Sequence, residues 1–337
     1  MMKLSPSLLF AVFATAALFG PSDIIAQSVG QELTAEEAIP SAVDPMYQRG
    51  IRYLASTQQP DGSWSDGYGT QPGVVALAVA AILGHGDDPN SGPYAQTIRR
   101  GLEFIISQQN KETGYIGSSM YNHGFATMVL GEAYGEVDMP GIGPALQKAV
   151  DCILNSQKNN RHGAWRYGPD SRDADTSVSG AVIVGLYSAR NAGLAVPDQA
   201  FERALGYFDK MRASSGGYGY TSASSPNYNR TAIGVLAFCL ARQKDKPHVA
   251  ESVKFLSQNL NYRDSSYPYY FEYYMSQALF QADLELWEKW NAFNIKYLST
   301  IQSPDGSWPG SKGTAFNTSA ALLSLALNYR FLPIYER

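Results

Sequence analysis

The sequence predicts an all-α protein, an (α/α)6 toroid in which six helical hairpins close into one double ring. Three observations carry this. A helical frame with a small residue followed by an aromatic or aliphatic pair recurs six times at about 50-residue spacing, the period of a repeat architecture built from supersecondary units. A Gly/aromatic loop follows each copy, and after each loop comes a second helical stretch that is apolar or small nearly all round. An open solenoid would need polar caps at both ends, and none is evident, so the ring closes.

The first helix of each unit reads RGIRYLASTQ (Gly50, Tyr53, Leu54), RGLEFIISQQ (Gly101, Phe104, Ile105), KAVDCILNSQ (Ala149, Ile153), RALGYFDKMR (Ala204, Tyr207), ESVKFLSQNL (Ser252, Phe255) and NIKYLSTIQ (Tyr297, Leu298). These are amphipathic and charged on one face, which predicts an outer ring. The loops are GSW at 62–64, GYIG at 114–117, GAWRYG at 163–168, GGYGY at 216–220, an aromatic-rich stretch at 261–270, and GSW at 306–308. Stretches such as VVALAVAAILG (74–84), GFATMVLGEAYG (124–135), SVSGAVIVGLYSARNAG (177–193) and TAIGVLAFCLAR (231–242) then supply the inner ring. The word QQPDGSW, Gln58 to Trp64, returns almost unchanged at 301–308. Its Gln can bond orphan carbonyls or a neighbouring hairpin, its Gly permits a positive-φ turn, and its Trp offers a broad surface to the adjacent unit. A feature repeated around a ring is a clamp, whereas function lives in a particular site.

Bulk numbers exclude several classes. The 337 residues are 45% hydrophobic, ample for a packed core. Residues 1–26 read as a signal peptide, with Lys3, the apolar run Leu8 to Phe19 and a small residue at Ala26. Residues 27–43 read as a linker and 44–337 as a single toroid domain, which makes the mature protein exported, periplasmic or extracellular. No later run reaches transmembrane length. A net charge of −4 without a basic, aromatic-laced patch gives no footprint for nucleic acid. Cys152 and Cys239 lie in apolar helical patterns without metal spacing, as buried free thiols do.

Because each loop leads into an inner helix, the six inner N-termini should gather at one mouth of the ring. That mouth is the expected site. It would present Tyr121, Asn122 and His123; Asp173, Asp175 and Thr176; Tyr228 and Arg230; Tyr269, Tyr273 and Tyr274; and Asn317. His123 has the type of a general base or ligand-binding donor, although a lone His is more often structural. Arg230 would meet an acidic ligand or pair with Asp175 or Asp173.

These Gln…Gly-x-Trp repeats resemble the QW motifs of squalene–hopene and oxidosqualene cyclases, and the six-hairpin ring resembles their toroidal domains and the protein prenyltransferase β subunit. Nearer still are the prenyltransferase/squalene-oxidase-repeat proteins of bacteria. Their segments are similar to MYNHGFAT (120–127), WRYGPDSRDADTSVSG (165–180), YYFEYYMSQALFQ (269–281) and NYRFLPIY (328–335). The likeness covers nearly the whole chain after the leader, but that family has no single activity to transfer.

Within it, Asp173-Ala174-Asp175-Thr176 resembles the Asp-x-Asp-Asp motif of class II terpene cyclases, in which the middle Asp protonates an alkene or epoxide. The resemblance makes Asp175 the acid and Asp173 its partner, with Thr176 standing where the motif has its last Asp. A helix N-terminus instead favours the anion, so the residues themselves lead us to expect a capping, ionised Asp175. The zinc-binding Asp-x-Cys pair of the prenyltransferases is missing, so neither metal nor cofactor is expected. The function implied is binding or cyclisation of an isoprenoid or triterpenoid ligand. Two alternatives stand: a carbohydrate-active toroid of lyase or glycan-binding type, for which 22 Tyr could supply stacking platforms, and a non-catalytic binding scaffold. Oligomeric state is not legible.

Overall fold

Twelve α-helices alternate between two concentric layers in the computed structural model, which describes residues 39–335 apart from Tyr68. The outer layer comprises α1 (Val43–Thr57), α3 (Ala95–Ser107), α5 (Ile142–Asn159), α7 (Asp198–Met211), α9 (Pro247–Ser257) and α11 (Leu284–Ile301). The inner layer comprises α2 (Pro72–Leu83), α4 (Met120–Ala133), α6 (Thr176–Asn191), α8 (Tyr228–Leu240), α10 (Pro268–Ala282) and α12 (Thr314–Ala326). Each inner helix packs on the next, and α12 returns to α2, so the ring is closed as the repeat predicts. The chain forms one compact unit from Ile39 onward. The expected signal peptide and all but the last residues of the expected linker lie outside the described residues.

Composition explains the layering. Every residue of α2 is buried, which a helix flanked on all sides requires, whereas α3 buries one stripe that includes Gly101, Leu102 and Ile105. Small residues set the spacing in the inner ring. A Cβ at Gly124 would lie 2.8 Å from the Ala181 backbone, and one at Gly185 would lie 2.6 Å from the Gly124 carbonyl, so α4 and α6 meet backbone to backbone. No helix among the described residues is long and apolar enough to cross a membrane.

The repeated Gln is a clamp between hairpins. Nε2 of Gln58 donates to the Gly62 carbonyl of its own loop at 3.0 Å and to the Thr97 carbonyl of the next outer helix at 2.9 Å. Gln109 and Gln157 repeat this double bond, to Gly114 and Ala145 and to Gly163 and Ala200. Where Arg212 stands in place of the Gln, Ser252 of α9 donates to the Gly216 carbonyl instead. Gly62 holds φ 88°, and a Cβ there would lie 2.1 Å from the Arg100 carbonyl, so the turn and the close approach of α3 both require glycine. The Trp side chains fold back on their own hairpins: Nε1 of Trp64 donates to the Leu54 carbonyl and that of Trp308 to the Leu298 carbonyl.

The first and last hairpins meet through the same devices. Gln302 donates to the Met46 carbonyl at 2.9 Å, and the Trp308 ring packs over Gly50, where a Cβ would come within 3.0 Å of it. A small hairpin unforeseen in the sequence, β1 (Ser65–Asp66) with β2 (Gly69–Thr70), adds a second link. Its Asp66 accepts from the Ala315 and Phe316 amides and so caps α12 from the first unit. At the rim away from the inner N-termini, the C-terminal 3-10 turn Pro333–Tyr335 is tied down by Glu132, whose Oε2 accepts from the Ile334 amide at 3.1 Å while Oε1 accepts from Ser188 at 2.6 Å.

Candidate functional site

Asp175 ends the loop of the third hairpin and caps α6. Its Oδ1 accepts from the Ser177 and Val178 amides, each at 2.9 Å, as an N-cap does. The carboxyl is fully buried, and Oδ2 makes no hydrogen bond of ordinary geometry; Arg166 Nε stands 3.7 Å from it and the Tyr220 hydroxyl is close by. Burial pushes the acid up to about 6, against the pull of the two amides, Arg166 and Tyr220. Asp175 is thus the cap that the sequence leads us to expect, but a weaker acid than an ordinary one: desolvation outweighs the helix terminus and the nearby cation, although the anion still predominates at neutral pH.

The cation is also not the expected one. Arg166 binds Asp173 through Nη1 at 2.6 Å while facing Asp175, whereas Arg230 pairs with neither. The reason is local: the Asp175 amide donates to the Trp165 carbonyl at 3.0 Å, so the loop doubles back and sets Arg166 beside the carboxyl. Asp173 itself is on the outside, with 56% of its side chain exposed.

Aromatic rings complete the surroundings. Tyr167 and Tyr220 share a hydroxyl–hydroxyl hydrogen bond of 2.8 Å, and the Arg166 guanidinium lies 5.6 Å from both ring centres. Tyr121 stands 6.1 Å from Tyr167 and 6.4 Å from Tyr270. Tyr270, Tyr274 and Tyr273 then follow at 4.8 Å steps, and Tyr273 reaches Phe125 and the Met128 sulfur of α4. Because α4 and α10 come from the second and fifth hairpins, these contacts cross the bore and floor the mouth beside Asp175. The Tyr270 and Tyr274 hydroxyls lie near one another and near Tyr121 without a hydrogen bond of ordinary geometry among the described residues.

Several expected site residues serve the scaffold instead. His123 is fully buried, its Nδ1 accepts from the Ile116 amide at 3.0 Å, and its Nε2 bonds the Ala149 carbonyl at 3.0 Å. No nitrogen is left for a substrate, and burial lowers its pKa to about 4. Ser179, Thr231 and Thr318 hold the corresponding place in later hairpins, each bonded to the amide of the loop aromatic. His123 is therefore the clamp's variant in the second unit. Asn122 joins the heads of α2 and α4 through Gln71 and the Gly73 amide. Thr176 donates to the Gly219 carbonyl. Tyr228 stacks on Tyr262 at 4.5 Å and Tyr269 donates to the Pro309 carbonyl, both toward neighbouring loops. Asn317 is buried against Gly310 with Nδ2 unbonded. A second buried acid, Glu272 of α10, has Arg263 Nε at 3.5 Å but no hydrogen bond on either oxygen, and burial raises it to about 8.

Arg166, Tyr167 and Tyr220 were not foreseen. All three sit in Gly/aromatic loops read as structural throughout, yet Arg166 was visible as the cation in the loop that ends at Asp175.

No family model matches the chain. Residues of the chain are 29% identical over 129 positions to lanosterol synthase erg7A of Aspergillus fumigatus, a stretch that is 35% of this chain and 16% of that protein. Among solved structures, the type II terpene cyclase MstE from Scytonema, in complex with geranylgeranyl dihydroxybenzoate, superposes with a TM-score of 0.62 at 17% identity over 86% of this chain and 98% of that one. The fold is that of a terpene cyclase-like α/α toroid. It is shared by an alpha-1,6-mannanase of Salegentibacter sp. HEL1_6, with a TM-score of 0.64 at 10% identity over 85% of this chain and 99% of the mannanase.

Proposed function

We propose that this toroid is an exported protein that binds an isoprenoid at the mouth of its ring and cyclises it by proton transfer from Asp175. The observation that carries the reading is the split carboxyl: Oδ1 is locked by two amides while the buried Oδ2 has no hydrogen-bonded partner, and burial raises the group to about 6. In the proposed step, the proton passes from Oδ2 to an alkene carbon or epoxide oxygen. Asp175 is left as a carboxylate facing Arg166, and the carbocation is stabilised on the faces of Tyr121, Tyr167, Tyr220 and Tyr270. Loss of a proton from the cyclised cation returns the balance, so substrate and product are isomers.

The test is incubation of the purified protein with geranylgeranyl and squalene-type substrates in D2O, with products read by mass spectrometry. A cyclised product carrying one deuterium, absent with Asp175→Asn, is expected. Equal product from that variant removes Asp175 as the acid.

One observation favours a second reading. The α4–α10 aromatic contacts close the bore beneath the mouth, and Tyr167 is 48% exposed on the rim, which suits an open sugar-stacking surface. Native mass spectrometry of protein recovered from its host separates the two by the mass of what copurifies.

A further inference from the structure

Arg230 is a cation placed where three local forces oppose it. It lies in the first turn of α8, whose amide dipoles repel a positive charge. It is half-buried, and that burial pulls its pKa down. It also has no carboxylate within ion-pair distance among the described residues, whereas Arg166 faces Asp173 and Asp175 and Arg263 faces Glu272. The guanidinium is held in place by one hydrogen bond, from Nη2 to the Ser225 carbonyl, and its Nε has no acceptor. It lies 5.9 Å from the centre of the Tyr220 ring, the ring that Arg166 also faces and whose hydroxyl neighbours Asp175.

An anion at this position would reverse all three costs: it is attracted by the helix terminus, it neutralises the half-buried charge, and it gains charge-assisted hydrogen bonds. We propose that Arg230 receives a carboxylate or phosphate-ester group of the ligand, making the substrate class an anionic amphiphile whose head sits at the Tyr220 edge of the mouth and whose tail lies toward Asp175. The choice of a prenyl tail rests on the reading given under Proposed function; the anion subsite does not. Arg166 cannot take this part, because two carboxylates already face it.

The test compares three probes with the same geranylgeranyl tail, the carboxylic acid, the monophosphate and the neutral alcohol, by calorimetry on the purified full chain. Tenfold or tighter binding of an anionic probe over the alcohol is expected, and the monophosphate and acid arms separate phosphate from carboxylate chemistry. Arg230→Gln, which can still donate to the Ser225 carbonyl, should erase that preference without lowering the melting temperature, and Arg230→Lys should restore part of it. Inorganic phosphate alone tests the subsite without a tail, through a rise in melting temperature that Arg230→Gln abolishes. If phosphate acts and no prenyl probe binds, the isoprenoid reading fails and the subsite stands. Equal binding of acid and alcohol, a preference that survives Arg230→Gln, or no effect of phosphate together with no anionic preference overturns the proposal.

Discussion

Arg166 Nε stands 3.7 Å from Oδ2 of Asp175 while its Nη1 is spent on Asp173, so the buried carboxyl has a cation close by but only half at its disposal. Burial therefore raises its acid constant, and the shared cation lowers it only in part. With Asp175 raised to about 6, the folded protein binds a proton more tightly than the unfolded chain, and stability falls as pH rises from about 4 to about 6. The full cost is about 3 kcal/mol. Asp175→Asn keeps the cap but should remove this slope, and denaturant titrations at pH 4.5 and 7.5 read it. Arg166→Gln should move the Asp175 titration upward, visible by carboxyl NMR; an unchanged value would show that the pair is not coupled.

His123 produces the opposite slope. Its folded pKa of about 4 lies below the unfolded value, so the folded state resists protonation and stability is lost as pH falls from about 6.5 toward 4. His123→Thr, the residue type used at this place in α8 and α12, should keep the Ile116 bond, lose the one to Ala149 and cost about 1–3 kcal/mol near pH 7. Turnover per folded molecule should not change. A specific loss of activity in that variant would return His123 to the chemistry.

Glu272 offers a cleaner pH signature. Burial lifts it to about 8 with neither oxygen hydrogen-bonded, so its proton is retained through neutrality and stability declines as pH climbs from the unfolded carboxyl value to about 8. Glu272→Gln should match the parent at pH 5 and exceed it at pH 9 in thermal melts. A variant less stable at pH 9 would mean that the Arg263 ion pair outweighs desolvation.

The clamp is testable at the seam. Gln302→Ala leaves the Met46 and Gly306 carbonyls short of a donor and should cost about 1–3 kcal/mol. Trp308→Ala removes a fully buried ring from over Gly50 and should cost about 3–5 kcal/mol. Unchanged melting in both would deny the repeat its structural role.

The ring was legible because one physical problem, docking a hairpin on its neighbour, is solved repeatedly with the same three residue types. Gln58, Gly62 and Trp64 announce themselves through their copies. The site was half legible. Asp175 stood out by its motif and its place before an inner helix, but its partner depended on how a loop folds back, through the Trp165–Asp175 backbone bond that leaves no trace in residue types. His123 misled because its chemistry is conspicuous and its place in the repeat is not. Only the alignment with Ser179 and Thr231 in three dimensions shows it doing a hydroxyl's work.

The bond from Gln302 to Met46 spans 256 residues of chain yet has the same form as the bond from Gln58 to Thr97. The seam between the last hairpin and the first is therefore an ordinary joint, and the segment after α12 meets the start of α1 there, with the Tyr329 hydroxyl 3.2 Å from Asp44. A circular permutant of the ring, opened in the turn between α2 and α3 and joined from Tyr335 to Ile39 by a flexible linker long enough to leave the turn at Glu132 in place, keeps every joint and should melt close to the parent. Deleting any one hairpin is different in kind: a closed ring has no end unit to spare, so the excision strips two faces at once, where a linear array would lose one.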